Sequence, residues 1–406
     1  MVEKREIVVL GGNLGGISIA HYLLKYTIPQ LERLDKSVSY HITLVTPNTD
    51  IFFKIATPRA IINSKLIPQE KIWRPIADGF TKYSNEQFTL VQGLATGLNA
   101  TARAVTVTSS GASIQSLTYH TLFISTGTTS ASPLWTLHHD QTISSNAIAL
   151  MHEKLPTAKT ILVAGGGAVG VETAGELASE YKDAKITLLS GSTRLLGKAY
   201  LATAERAESY LKKTQKVEVV HNLRVEKSEV RGDAMVLTLS DGSTRTVDVY
   251  IDGTGGVPNS QFLPSSWLDT DKRVETSDAS NRVRGDGSVE EAKNVYVIGD
   301  IVAKSDASLM ALNCHVPVAA SSFAVDIAGA GKAPGVLRKL LGSSSSLPVQ
   351  KAYKQAMPNT FVVPIGREGG VGQIMGYRMP SIMVKMAKGN SYFLEMIDPI
   401  LTGSKW

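Results

Sequence analysis

The chain has 406 residues, 43% hydrophobic and 19% charged, enough apolar content for two or three packed domains and too little charge for a disordered chain. Its net charge of +6 is scattered without a long Lys/Arg block, so nucleic acid is not an expected partner, and a mild positive field suits an enzyme that handles anionic dinucleotides. The one cysteine, Cys314, excludes an intrachain disulfide framework, a four-cysteine zinc site and a paired-cysteine redox centre; no metal is expected.

From its start the chain runs straight into a strand, with no apolar signal region, no arginine-rich presequence and no Gly at position 2 for myristoylation. No apolar stretch reaches the roughly eighteen residues of a membrane span, so the expected compartment is the cytoplasm. The run Ile7-Val8-Val9-Leu10 reads as a buried strand and leads into Gly11-Gly12-Asn13-Leu14-Gly15-Gly16, with a helical pattern beyond. Strand, glycine turn and helix in this order make a pyrophosphate site, because backbone N–H groups and the positive end of a helix dipole converge on the phosphates. Asn13 stands where the fingerprint has its second glycine; Asn tolerates unusual backbone dihedrals, so the turn is expected to survive. A second strand, 39–45, ends in Val45-Thr46-Pro47-Asn48, where a dinucleotide site usually offers Asp or Glu to the ribose. Thr46 or Asn48 is left to supply a neutral hydrogen bond, at a cost in affinity.

A helical region follows through Arg59, Trp73 and Phe80, and then strands at 89–93, 104–108 and 121–125, the last ending in Thr126-Gly127-Thr128. The second glycine turn, Gly165-Gly166-Gly167-Ala168-Val169-Gly170, has full context. The strand 161–164 precedes it, a helical stretch through Glu172 follows, and the strand 185–190 comes at βαβ distance. That strand ends in Ser190-Gly191-Ser192, again without a carboxylate, and Arg194 stands close by. An acid here would repel a 2′-phosphate, so the pattern leans toward NADPH, with Arg194 as its contact. Further on come Thr254-Gly255, the strand-like Asn294-Val295-Tyr296-Val297-Ile298-Gly299-Asp300, a helix expected to begin at Asn313-Cys314-His315-Val316-Pro317, and the Ser-rich stretch 342–346, read as a linker.

With Gly11, Thr126-Gly127, Gly165, Thr254-Gly255 and Gly299-Asp300 in order, the chain resembles pyridine-nucleotide flavin oxidoreductases over nearly its whole length. Within them it is most similar to the apoptosis-inducing-factor-like and ferroptosis-suppressor-like branch. The closer marks are Phe52-Phe53-Lys54-Ile55-Ala56-Thr57-Pro58-Arg59, Thr254-Gly255-Gly256-Val257-Pro258-Asn259 and Pro364-Ile365-Gly366-Arg367-Glu368-Gly369-Gly370-Val371-Gly372-Gln373.

The resemblance implies an α/β fold with two Rossmann-like, glutathione-reductase-type domains and a C-terminal α+β cap. FAD would take 1–144 and 254–340, NAD(P)H 145–253, and the cap 347–406. It implies cofactor contacts at Gly11, Gly12, Asn13, Gly15, Gly16, Thr46, Ala95, Thr126, Gly127, Gly299 and Asp300, and at Gly165, Gly167, Gly170, Ser190, Arg194 and Gly255. Arg59 is read either as a contact to the FAD pyrophosphate or as a structural ion pair. Lys54, near the flavin, and Glu172, near the nicotinamide, are the expected catalytic residues, paired in a poorly solvated site. The helix at 313–317 is expected to point its N-terminus at the flavin, with His315 either a proton donor or structural.

The activity implied is hydride transfer from NAD(P)H to FAD and onward to a small-molecule acceptor. A quinone leads; a specialised biosynthetic reaction on one organic substrate, or a redox-sensing or nucleic-acid-associated role, are the alternatives. The basic and apolar tail 377–388 is read as resting at a membrane where a lipid quinone enters, or as a helix packed on the FAD domain, with packing favoured.

Overall fold

A computed structural model describes residues 2–406 apart from 110, 112, 139, 278, 285–291 and 330–346, so the Ser-rich stretch 342–346 lies outside the described residues. Two parallel sheets organise the chain. In the first, Glu3–Leu10 lies between Val38–Thr46 and Thr121–Ile124, with Phe88–Gln92 outside one and Val295–Val297 outside the other. Arg282–Val283 and Thr276–Ser277 complete its antiparallel edge. In the second, Thr160–Ala164 lies between Lys185–Ser190 and Val249–Asp252, and Glu218–His221 flanks Lys185–Ser190. The central strands are near-continuous buried apolar runs, Ile7 to Leu10 and Ile161 to Ala164, as sheets covered on both faces require.

The region through Arg59, Trp73 and Phe80 is broken rather than helical throughout. A 3₁₀ turn Lys54–Ala56 and helix Thr57–Ala60 are followed by strand Trp73–Pro75, antiparallel to Asp50–Phe52, and by helix Ile76–Phe80. Pro68 and Pro75 punctuate it, each disfavouring a helical residue before it, while Pro58 sits in the first turn of helix Thr57–Ala60, where its missing N–H is no loss. Two antiparallel ribbons were not anticipated as units: Leu94–Asn99, Ala104–Thr108 and Ile114–Thr118, and Val225–Arg231, Ala234–Leu239 and Thr244–Val247.

The helix expected to begin at Asn313 begins at Leu309, where Ser308 accepts the Ala311 N–H, and it runs to Ala328 with Pro317 inside. The expectation that no segment could span a membrane is also corrected. Leu309–Ala328 has a mean hydropathy of 1.2 and sufficient length, its apolar character being interrupted only by small or polar residues such as Asn313 and Ser321. It is a core helix, 56% buried and packed on helix Leu14–Tyr22.

The C-terminal region folds as the sheet Phe361–Pro364, Gly370–Ile374 and Tyr377–Met379, followed by helical turns Ser381–Val384 and Lys385–Gly389 and helix Ile397–Leu401. Its sheet packs on helices Ala168–Glu180 and Leu201–Ser209 of the second unit, and within the tail 377–388 the turns Ser381–Val384 and Lys385–Gly389 pack on that sheet. Gly175 permits this approach: a Cβ there would lie 2.7 Å from the Gly366 nitrogen. Helix Ile397–Leu401 instead docks on Leu14–Tyr22, where His21 Nε2 meets the Leu401 carbonyl at 2.7 Å.

Candidate active site

At the first turn Gly11 has φ +101°, a conformation that favours glycine. A Cβ on Gly16 would sit 1.8 Å from the Gly11 carbonyl oxygen, and one on Gly12 2.6 Å from the Thr46 Cβ. Asn13 preserves the turn by a different means from the one expected. Its backbone is extended (φ −101°), and its carboxamide caps the helix, Oδ1 accepting the Leu14 N–H at 2.9 Å while Nδ2 donates to the Phe52 carbonyl at 3.1 Å.

Of the two neutral candidates at the next strand end, Thr46 closes its own loop, its Oγ1 donating to the Asn48 carbonyl at 3.1 Å. Asn48 is 2% exposed, and both Oδ1 and Nδ2 lack a partner among the described residues. A buried carboxamide left so costs about 1–3 kcal/mol. Its place at the end of the second parallel strand is where ribose hydroxyls are reached, so the first unit fits a dinucleotide. Ala95, half-buried, lies beside a register shift in the first ribbon.

The second turn repeats the plan. Gly165 has φ +120°, a Cβ on Gly170 would meet the Gly165 oxygen at 1.9 Å, and one on Gly166 would meet Ser190 Oγ at 2.5 Å. Gly167 caps helix Ala168–Glu180, and no atom lies within 4 Å of its Cβ position, which leaves the N–H groups of the helix start open to phosphate. Ser190 Oγ donates to the Ser192 carbonyl at 3.2 Å, and the Arg194 guanidinium donates to the Gly197 carbonyl at 2.6 Å.

Thr126-Gly127 and the 254–259 segment are stitched by Asn259, which sequence reading did not single out. Its Nδ2 donates to the Thr126 carbonyl at 2.8 Å, its Oδ1 accepts from Thr129 Oγ1 at 2.9 Å, and the Thr126 hydroxyl donates to its carbonyl at 2.8 Å. Gly127, with φ +65°, and Gly255 both have open space at their Cβ positions. Gly299 also needs positive φ, +81°, and its N–H donates to His315 Nδ1 at 3.2 Å. Burial pushes the His315 ring down to about 4, so the neutral ring is a hydrogen-bond acceptor that fixes the Gly299-Asp300 turn.

The expected pairing of Lys54 with Glu172 is corrected. Lys54 Nζ lies 2.7 Å from Asp300 Oδ2. Burial raises the Asp300 carboxyl, the Lys54 ammonium lowers it, and the net position is below the ordinary range. Glu172 pairs instead with Lys388 of the C-terminal region, Nζ to Oε1 at 2.5 Å. The reason lies in the packing, since the Glu172 face of helix Ala168–Glu180 is covered by the C-terminal region. Burial lifts the Glu172 carboxyl to about 6 against the pull of Lys388, and the negative Glu176 adds to the rise.

Arg59 takes the structural role. Its Nε and Nη2 grip Glu176 at 2.8 and 2.7 Å, Nη1 donates to the Gly389 carbonyl at 2.6 Å, and the guanidinium lies 4.7 Å from the Tyr392 ring centroid. Tyr392 Oη also donates to Glu176, at 3.2 Å. Arg59, Glu172, Glu176, Lys388 and Tyr392 thus form one buried cluster joining both units and the C-terminal region. A carboxyl raised to about 6 beside an ammonium, just past the second glycine turn, can hold or deliver a proton. Sequence reading had singled out Arg59 and Glu172 separately, and the i, i+4 spacing of Glu172 and Glu176 places both carboxyls on one face of the helix. Among the described residues no group of His, Cys, Asp and Glu could hold a metal ion.

The family model described as pyridine nucleotide-disulphide oxidoreductase matches residues 5–321. Oxidoreductase phnG of Penicillium herquei is 31% identical, covering 100% of this chain and 97% of its own length. Ferroptosis suppressor protein 1 of Homo sapiens is 25% identical over 96% of this chain and 94% of its own. Among solved structures, NDH2 from Plasmodium falciparum in complex with NADH has a TM-score of 0.64 at 15% identity, covering 100% and 99% of the two chains. The water-forming NADH oxidase from Lactobacillus brevis bound to NADH has a TM-score of 0.64 at 15% identity, covering 91% and 75%. Two glycine turns on two parallel sheets, with Cys314 as the one cysteine, accord with an FAD- and NAD(P)H-dependent enzyme without a redox disulfide, and the chain belongs to the pyridine nucleotide-disulphide oxidoreductase family.

Proposed function

We propose that the acceptor of this NAD(P)H-dependent flavoprotein is a quinone, reduced by two electrons and two protons. Bound FAD supplies the ring that accepts the hydride and releases the electrons. Of the residues proposed to hold it, Asn48 offers its carboxamide to a ribose, the Gly11–Gly16 turn offers helix N–H groups to the pyrophosphate, and Asp300 offers a carboxylate acceptor. Glu172 and Lys388 hold a proton in a site closed to bulk water and deliver it to the acceptor as the electrons arrive.

One observation carries the choice of acceptor. The segment 381–389 turns Lys388 inward to Glu172 and leaves Ile382, Met383 and Met386 exposed, with Met375 and Tyr377 exposed on the adjacent turn. Exposed apolar residues concentrated beside a buried proton-holding pair suit an apolar acceptor, and Arg378 beside them suits contact with a lipid surface. The expected cytoplasmic location, peripheral at a membrane, belongs to this reading.

The test is steady-state turnover of a soluble quinone with NAD(P)H, wild type against Met386→Asp. The variant is expected to raise KM for the quinone severalfold while leaving flavin reduction by NAD(P)H unchanged. Flavin that is reduced by NAD(P)H and not reoxidised by any quinone would overturn the proposal and favour one specific organic substrate.

A further inference from the structure

The second turn as the NAD(P)H site is the reading on which this inference rests, and what remains is which dinucleotide it takes. A ribose-binding carboxylate is expected about 20 residues beyond the turn, at the end of the second strand. Ser190 stands there, 1% exposed, and its hydroxyl is already committed to the Ser192 and Arg194 carbonyls at 3.2 and 3.4 Å. Ser190 brings no negative charge to oppose an anion.

A positive one is brought in from elsewhere. A Cβ on Gly191 would lie 2.7 Å from Arg224 Nε and 2.8 Å from its Cγ, so the Arg224 side chain runs across the bare backbone of Gly191. The two loops are fastened together, the Asn222 and Leu223 N–H groups donating to the Ser192 and Ser190 carbonyls at 3.2 and 3.1 Å. The Arg224 main chain is pinned on both sides by Ser240, its N–H donating to Ser240 Oγ at 3.1 Å and its carbonyl accepting the Ser240 N–H at 2.9 Å. Its side chain is exposed and has no ion-pair or hydrogen-bond partner among the described residues. Glu226, the nearest acid in sequence, forms no ion pair with it among the described residues, and Asp241, beside Ser240, is occupied by Ser243 at 2.9 and 2.6 Å. Arg194, by contrast, spends a guanidinium N–H on its own loop at Gly197.

The geometry points to Arg224 as the residue that recognises a phosphate on the adenosine ribose, which makes the chain selective for NADPH over NADH. A planar guanidinium presents a fork that fits a phosphate, and an unpaired one on a fixed backbone needs little reorganisation to bind it. The 2′-hydroxyl of NADH offers the same group nothing comparable. Sequence reading placed this role on Arg194; Arg224 escaped it because it follows the third strand of the unit, outside the glycine-turn fingerprint.

The test is calorimetric binding of two probes, 2′,5′-ADP and 5′-ADP, to the flavin-loaded wild type and to Arg224→Gln, alongside kcat/KM for both dinucleotides. Wild type is expected to bind 2′,5′-ADP about tenfold or more tightly than 5′-ADP, as one charged hydrogen-bonding group predicts. Arg224→Gln is expected to lose most of that margin and to lose kcat/KM for NADPH by the same factor. Its 5′-ADP affinity, NADH kinetics and thermal midpoint are expected to stay as in wild type, and Arg224→Lys to retain part of the margin. Equal affinity of wild type for the two probes, or a preference that survives Arg224→Gln, overturns the assignment and leaves the NAD(P)H site standing. Failure of both probes and of NADH to bind overturns both.

Discussion

The two glycine turns carry the same constraints at their first, second and sixth positions and part at the third. In each, the first glycine takes positive φ and a Cβ on it would strike the end of a neighbouring strand, Ser125 O or Gly253 O, at 2.5 Å. In each, a hydroxyl at the next strand end, Thr46 or Ser190, presses on the second glycine and closes its own loop. The third position separates them. Asn13 fills it with a carboxamide tied to the Phe52 carbonyl, two residues from Lys54, whereas Gly167 leaves it open. The glycines that pack strand on helix are folding devices common to both units, and we propose that the third position sets how a dinucleotide is held. A turn tied to its surroundings suits a resident cofactor, and an open turn suits one that must enter and leave.

The comparison breaks hardest at its shared element. Gly170→Val would place side-chain atoms within 2 Å of the Gly165 carbonyl oxygen, so no folded, soluble second unit is expected. A variant that melts within a few degrees of wild type would contradict the packing role.

The units also bury opposite kinds of titratable group. His21 and His315, beside the first sheet, are both pushed by burial from 6.5 to about 4. Each binds fewer protons folded than unfolded, so stability is expected to fall as pH drops from 6.5 toward 4, by up to about 3 kcal/mol per ring. Glu172, in the second unit, is raised from 4.5 to about 6, so its contribution runs the other way, stability falling by about 2 kcal/mol as pH rises through that window. Thermal unfolding across pH 4 to 7 checks both signs. His315→Asn, which keeps an acceptor for the Gly299 N–H, should flatten the acid limb, and Glu172→Gln should remove the opposing one. The rate of flavin reoxidation by the quinone should lose its inflection near pH 6 in Glu172→Gln.

A smaller effect is expected at the third position of the second turn. A Cβ on Gly167 meets no protein atom beyond its chain neighbours and its own helix, so for Gly167→Ala melting and FAD content should match wild type while NAD(P)H binds about tenfold more weakly in a titration of flavin bleaching. Asn13→Ala, in the first turn, removes the cap and is expected to cost about 1 kcal/mol, read as a lower thermal midpoint and easier loss of FAD on dilution; Asn13→Gly should cost only a few tenths.

Both turns, the buried parallel strands and the Gly299-Asp300 motif were legible in the sequence, because β-branched runs beside glycines are local signals. Thr46 and Ser190 were legible as missing acids. What was not legible depends on contacts between distant segments. Lys388 reaches Glu172 across 216 residues, and nothing in Met386-Ala387-Lys388 marks a buried lysine. The ribbon strand Val225–Arg231 is mostly exposed, which leaves no hydrophobic face to read. The helix start was placed at 313–317 because that segment follows the Gly299-Asp300 motif, while the true start was set by Ser308, whose hydroxyl caps the first turn. Arg224 belongs to no motif and acquires a role only where Gly191 leaves space for its side chain.

The most direct measurement is the absorption spectrum of the purified protein under anaerobic conditions, before and after NADPH or NADH and then a soluble quinone. Flavin bands present at isolation, bleached by NADPH more readily than by NADH and restored by the quinone, are the expected result. Protein that carries no flavin even after added FAD would contradict the reading of Asn13 and Asn48 as parts of a working site, and with it the account as a whole.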